Sequence, residues 1–219
     1  MTITFNAYKA FLDRLGAGVQ LVAVSKTKPA ADILALYNMG QRDFGENYVQ
    51  ELLEKQRELP GDIRWHFIGH LQTNKVKLVA PFVHLIHGVD SLRLLKEIDR
   101  QAILKGRVVN VLLQVHIGRE ETKFGLDGGE LDTLMQVWRD GVARGEFAGV
   151  QVRGLMGMAS NTADKAVVRE EFRGLKLMLD RYFPAGGILS MGMSADYVTA
   201  IEEGSNMVRI GSLLFGMRG

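Results

Sequence analysis

Short apolar runs alternate with helically spaced apolar stripes along most of this chain. Runs that suit strands lie near 20–25, 42–45, 64–68, 84–88, 108–115, 152–156, 187–191 and 207–210. Val108 to Val115 is nearly continuous in apolar residues, as a strand covered by helices on both faces should be. Between the runs, Pro29 to Met39 carries Ile33, Leu36 and Tyr37 on one helical face and stops at Gly40. Ser91 to Lys105 carries Leu95, Ile98 and Ala102 and stops at Gly106. Leu131, Leu134, Met135 and Trp138 mark a further helix, and Val168, Phe172, Leu175 and Leu179 another; both stripes read as core. Eight strands alternating with helices, after a helix at about 5–15, predict an α/β fold. The expected form is a (β/α)8 TIM barrel with an extra N-terminal helix, in a single domain over 1–219. A doubly wound open sheet satisfies the same periodicity, because periodicity does not reveal closure.

Composition narrows the function classes. The 219 residues are 47% hydrophobic and 24% charged, ordinary for a soluble globular chain long enough to bury a sizeable core. Lys+Arg 27 against Asp+Glu 25 leaves +2, with the signs interspersed, so no nucleic-acid surface is expected. The densest basic stretch, Asn74-Lys75-Val76-Lys77, reads as the polar face of a helix. With no cysteine there is no disulfide framework, thiolate metal site or cysteine nucleophile. Neither a signal-type N-terminus nor a run of about 18 apolar residues occurs. A cytoplasmic protein with no membrane partner is the expectation.

Several common sites are missing. Gly40 to Gly45 is followed by Glu46 rather than Lys, so there is no phosphate-binding P-loop; Gly-x-Gly-x-x-Gly after the first strand and Gly-x-Ser-x-Gly are also absent. His66 and His70 are four apart, but Gly69 lies between them and Trp65 to Ile68 reads as strand. They are taken as strand-end and helix-start polar groups, and no metal is expected.

Three places remain. Leu21-Val22-Ala23-Val24-Ser25-Lys26-Thr27-Lys28-Pro29 reads as a buried strand followed by a helix-starting proline, which puts Lys26 on the loop where α/β proteins carry their chemistry. Near the C-terminus, Leu189 to Asp196 and Met207 to Ser212 each read as a strand ending in a small-residue turn that opens a helix. Ser194 there suits a helix N-cap. Alternatively, N–H groups at Gly192 and Gly211 with hydroxyls at Ser194 and Ser212 make a phosphate cradle. Arg209 alternates with Val208 and Ile210, so if those pack outward its guanidinium points into the barrel and needs a partner: a carboxylate, or a ligand with a ring acceptor. A lysine after the first strand and a cradle after the last suit a phosphorylated aldehyde bound as a Schiff base. Only about one lysine in 2,500 is neutral at pH 7 for a pKa of ~10.4; desolvation and nearby cations such as Lys28 could depress that pKa.

These residues, with others, resemble the pyridoxal phosphate homeostasis protein family, relatives of the N-terminal barrel of alanine racemase. The resemblance runs from about residue 20 to the end. It rests on Ala23 to Pro29, Phe44 to Glu51, Trp65 to Lys75, Lys123-Phe124-Gly125, Gly154 to Met158, Met191 to Ser194 and Met207 to Ser212. It implies pyridoxal 5'-phosphate (PLP) as cofactor, with an aldimine on Lys26, Arg209 facing the pyridine nitrogen, and Ser194, Gly211 and Ser212 on the phosphate. Asn47, His66 and Met191 fall in the implied cofactor-binding set. Position 70 varies in the family pattern, and His116 stands where asparagine is expected.

By the same resemblance the protein carries or buffers PLP and supports vitamin B6 and amino-acid/keto-acid balance, with little turnover. An arginine only donates to a neutral pyridine nitrogen, which weakens carbanion chemistry. Alanine racemase takes a second base from a further domain, for which eight βα units in 219 residues leave no room. Expected partners are PLP, small amino acids and apo-enzymes that accept PLP; a monomer is expected. The alternatives are a slow PLP-dependent racemase or lyase, and a barrel enzyme that binds a sugar phosphate without a cofactor.

Overall fold

A computed structural model describes residues 3–120 and 124–216; Lys123, part of one family-like block, lies outside them. Eight parallel strands pair in chain order and close, β1 meeting both β2 and β8. They are β1 Gln20–Val24, β2 Asp43–Glu46, β3 Arg64–Phe67, β4 Leu85–Val89, β5 Val109–Val115, β6 Val150–Gly157, β7 Ile188–Ser190 and β8 Met207–Ile210. Closure disposes of the open-sheet alternative.

Around the barrel run α1 Phe5–Leu15, α2 Ala30–Asn38, α3 Val49–Glu58, α4 Val76–Val79, α5 Leu92–Leu104, α6 Gly128–Ala143, α7 Lys165–Tyr182, α8 Tyr197–Glu202 and α9 Ser212–Phe215. Helix starts follow capping chemistry: the Ser91 hydroxyl accepts from Leu94 N, and Asp127 with Glu130 forms a reciprocal capping box on α6. Pro29 sits one position earlier than expected, at the N-cap of α2. The basic stretch at 74–77 spans a 3-10 turn, Thr73–Lys75, and the start of α4, with Val76 buried and both lysines exposed.

Strand alternation sorts the core into two layers. Leu21, Ala23, Phe44, Trp65, Phe67, Val111, Leu113, Leu155, Leu189, Val208 and Ile210 pack outward with the helix stripes. Val22, Leu85, Leu112, Met156 and Met207 make a smaller cluster inside the barrel. The rest of the interior is polar: His66, His87, Ser190 and Arg209 are all buried. Hydrocarbon packing between sheet and helices holds the barrel, which leaves part of the lumen for other work. Among the described residues no helix is long and apolar enough to cross a membrane.

Candidate functional site

The loop that carries Lys26 is tied down on both sides. Ser25 N donates to Gly45 O (3.0 Å) and Ser25 Oγ to Glu46 Oε1 (2.6 Å), while Thr27 N donates to Glu51 Oε1 (2.5 Å). The buried Lys55 ammonium gathers these groups, donating to Ser25 O, Glu46 Oε1 and Glu51 Oε1, each at 2.7 Å. Thr27 has φ 63, a left-handed conformation that costs a β-branched residue about 1–3 kcal/mol, and the Glu51 bond offsets part of that. Burial pushes the Glu46 carboxyl above its ordinary range, and Lys55 and Ser25 pull it back only in part. Lys26 itself is half-buried at the C-terminal end of the barrel, and the Lys28 ammonium is turned to Phe215 O (3.2 Å).

The β1–β8 register, Val22 opposite Arg209 and Ala23 opposite Ile210, carries Gly211 and Ser212 to the side of this loop. A Cβ built on Gly211 would meet Val24 O at 3.3 Å, so the two backbones nearly touch. Arg209 N donates to Gly192 O (3.0 Å), which joins the turn after β7 to β8. Gly192 has φ +95, and a Cβ there would fall 2.6 Å from that of Ala200. Ser194 is not the N-cap of α8. Asp196 holds that position, its Oδ1 accepting from Met193 N (2.6 Å), and this closes the turn and frees the Ser194 hydroxyl from capping.

Arg209 points into the barrel, as its alternation with Val208 and Ile210 requires. Its Nη1 donates to Ser190 O (2.8 Å) and Ser190 Oγ (2.7 Å), and Nη2 to Gly157 O (3.0 Å). These use three of a guanidinium's five N–H donors, leaving two. No carboxylate pairs with it among the described residues, and burial lowers its pKa to about 10, with Asp196 opposing. Beyond β2, Asn47 Oδ1 is buried without a hydrogen-bond partner, an acceptor left open beside the mouth. Gly69 makes this packing possible: a Cβ there would lie 2.3 Å from Asn47 O.

A half-buried amine, a turn rich in N–H and hydroxyl groups, an unspent guanidinium and an orphaned amide oxygen thus border one barrel end. A cleft of about 680 Å³ lined by Thr73, Asn74, Arg93 and Lys96 lies elsewhere, on the outer flank. The alanine racemase N-terminal domain family matches residues 5–219. The pyridoxal phosphate homeostasis protein of Aquifex aeolicus is 42% identical over 214 residues, covering 94% of this chain and 91% of its own length. That of Escherichia coli K12 is 39% identical over 211 residues, covering 91% and 86%.

This chain belongs to the pyridoxal phosphate homeostasis protein family. PipY of Synechococcus elongatus, solved with PLP bound, superposes with a TM-score of 0.85 at 35% identity, covering 97% of this chain and 99% of PipY. Alanine racemase of Clostridium difficile superposes at 0.78 with 16% identity over 59% of its length, a likeness of fold.

The family-like residues are not all at the mouth. Lys26, Asn47, Ser194, Arg209, Gly211 and Ser212 belong to the strand C-termini and their loops. The Met191 side chain does not: one residue past the inward-facing Ser190, it is buried in the outer core, while its carbonyl accepts from Ser205 Oγ (2.7 Å). His66 is inside β3 rather than at a strand end, bonded to His87 and Asp43 instead of facing the loops. His70 stacks on Phe124, ring centroids 4.1 Å apart, and His116 Nε2 meets Glu120 O at 3.0 Å. A grouping other than His66 with His70 could hold a metal: Asp43, His66 and His84 bring ligand atoms within 4.8 Å of one another. The Asp43 carboxylate there is already gripped by the Arg64 fork at 2.7 and 2.6 Å. Asp43, His87, Ser190 and the Lys55 network escaped the sequence reading.

Proposed function

We propose that this chain binds pyridoxal 5'-phosphate at the C-terminal mouth of its barrel and serves as a carrier or buffer of it, with little or no turnover. The observation that carries the reading is the β1–β8 closure, which sets the Lys26 loop against Gly211 and Ser212 above a buried arginine with donors to spare. The residues fit the four polar groups of PLP. Lys26 answers the aldehyde, its amine adding to the carbonyl carbon as water leaves to give a Schiff base. Arg209 offers N–H to the pyridine nitrogen, Asn47 Oδ1 an acceptor to the ring hydroxyl, and Ser194, Gly211 and Ser212 hydroxyls and N–H groups to the phosphate. The bound state of PipY and the relatives' names support the same choice of ligand.

When bound, PLP supplies an electron sink, and Arg209 limits it: a guanidinium donates to the ring nitrogen without protonating it. Storage and delivery are favoured over turnover. In this reading one barrel, acting as a monomer in the cytoplasm, exchanges PLP with apo-enzymes and meets small amino acids, and so supports vitamin B6 and amino-acid/keto-acid balance. A slow racemase is the second reading, favoured by the shared barrel.

Borohydride reduction of the PLP-loaded protein followed by peptide mass analysis tests the covalent link. Modification is expected at Lys26, and Lys26→Ala should fold as wild type and yield no adduct. An adduct of unchanged yield in that variant overturns the assignment.

A further inference from the structure

A chain of side-chain hydrogen bonds crosses the barrel interior from Arg209 to the opposite end. Arg209 Nη1 donates to Ser190 Oγ at 2.7 Å, and Ser190 Oγ lies 3.0 Å from His87 Nδ1. His87 Nε2 is 2.9 Å from His66 Nδ1, and His66 Nε2 is 3.0 Å from Asp43 Oδ1. All five residues are buried. At the far end lie the half-exposed Arg64 side chain on Asp43 and the exposed His84 beside His66.

Asp43 sets the direction of every link when His66 carries a single proton. An arginine only donates and an ionised aspartate only accepts. From Asp43, His66 must carry its proton on Nε2, so a neutral His66 accepts at Nδ1. His87 must then carry its proton on Nε2 and accept at Nδ1, so the Ser190 hydroxyl proton points to His87. Arg209 is compatible with that direction: with its proton on His87, Ser190 Oγ turns a lone pair toward the guanidinium. No link is left with two donors or two acceptors.

The surroundings bear on the two groups next to His66. Burial and the neighbouring His66, Arg209 and His84 push the His87 imidazole well below its ordinary range, so it stays neutral. Asp43 is held well below the usual carboxylate range: burial would raise it, and hydrogen bonds from Arg64 and His66 outweigh burial. The charged or titratable groups facing the chain are Asp43 from β2, Arg64 from β3, His84 and Arg107 beside β4, Arg209 from β8 and Asp196 from the turn after β7.

We infer that Ser190 and His87 are positioning residues for Arg209, locked in one hydrogen-bonding direction by Asp43 at the far end of the barrel. The chain holds Nη1 on two oxygens and leaves Nε–H and one Nη2–H for the ring nitrogen; toward PLP, the inference rests on the function proposed above. In a reversed chain His87 Nδ1–H would donate to Ser190 Oγ, and the buried Ser190 hydroxyl proton would lose His87 as its acceptor.

Nuclear magnetic resonance of the ¹⁵N-histidine-labelled full chain, with and without PLP, reads the direction. The expected result is His66 and His87 both neutral with the proton on Nε2. A proton on His87 Nδ1, or an imidazolium at His66 near pH 7, reverses the chain and overturns the inference. PLP titration reads the consequence. Ser190→Ala should weaken binding about three- to tenfold, the range for one lost hydrogen bond, and shift the visible band of bound PLP. His87→Asn keeps an acceptor for Ser190 and should bind within about threefold of wild type, whereas His87→Leu, of similar bulk, should lose as much as Ser190→Ala. Equal behaviour of the two His87 variants, or wild-type affinity in Ser190→Ala, overturns the positioning role. A wild type that takes up no PLP defeats the proposed function itself and this role with it, whatever the tautomers; losses confined to the variants bear on this inference alone.

Discussion

Lys55 and Arg209 are both buried cations, 6% and 4% exposed, and they are satisfied in opposite ways. Lys55 meets two carboxylates and a carbonyl, a closed set of partners supplied by the chain. Arg209 meets a hydroxyl and two carbonyls, none of them anionic, and is left with donors and an uncompensated charge. Desolvating a charge without a counter-ion costs stability, and a fold retains such a residue where something else supplies the partner. The first cation is therefore a structural tie for the Lys26 loop, and the second fits the proposed binding site.

Lys55→Met should break that division most visibly. It strands Glu46 and Glu51 and releases Ser25 O, and removing one member of a buried pair typically costs about 3–5 kcal/mol. Urea unfolding at pH 7 is the measurement, with the loss shrinking toward pH 5 as the unpartnered Glu46, already pushed up by burial, takes a proton. A loss under about 1 kcal/mol would mean the network does not hold the loop.

Arg209→Gln should do the reverse. The folded-state pKa of Arg209 is lowered to about 10 by burial, so the folded protein holds that proton less tightly than the unfolded chain and the charge opposes folding across the neutral range. Apo stability should change by less than about 1 kcal/mol, with lost hydrogen bonds offset by relieved desolvation. PLP retention should fall roughly tenfold to a hundredfold, followed by titration. Destabilisation like that of Lys55→Met with intact PLP affinity would remove the distinction between the two cations.

Asp43 sharpens the comparison at the other end of the barrel. Its folded pKa is depressed, so its contribution is present above the ordinary carboxylate pKa and lost as pH falls through the lower folded value. Wild type should lose on the order of 2 kcal/mol from this group on acidification below about pH 4. Asp43→Asn should lack that part of the acid limb in thermal unfolding scanned from pH 6 to pH 2. An unchanged limb would show that Asp43 is not a principal acid-labile contact.

The barrel was legible because buried parallel strands read as apolar runs: the eight expected strands fall within two residues of those observed at every end. The short α4, α8 and α9, of four to six residues, carry too little sequence to show a period. α3 buries only Leu52 and Lys55 and so shows no apolar stripe. In the site, Lys26 and Arg209 were legible from strand-end position and alternation. The chain from Arg209 to Asp43 was not, since its links join β8, β7, β4, β3 and β2, which closure alone brings together. His66, His87 and Ser190 do share one signal, a polar side chain at an inward position of an apolar strand. Ser194 misled because a serine before a helix suggests a cap, whereas Asp196 stands at the N-cap position and accepts from Met193 N instead of from the helix.

The smallest expected effect is on racemisation. PLP-loaded protein should interconvert D- and L-alanine no faster than free PLP within about tenfold, against accelerations of at least roughly 10⁶-fold for committed enzymes. Removing the α-proton requires a ring that accepts the electron pair and a base on each face of the carbanion. In the proposed binding mode Arg209 would weaken the first requirement, because a guanidinium donates a hydrogen bond to the ring nitrogen and does not surrender a proton. For the second, Lys26 would be one base in the proposed binding mode. The nearest histidines are otherwise engaged: His66 and His87 inside the barrel with each other, His116 with Glu120 O, and His70 with Phe124 and Asp90. Both defects act on the same step, so tighter binding of PLP rescues neither. An acceleration of several orders of magnitude, measured by exchange of the alanine α-hydrogen with deuterated water, would make Arg209 part of a catalytic site and reopen the search for an opposing base at the mouth.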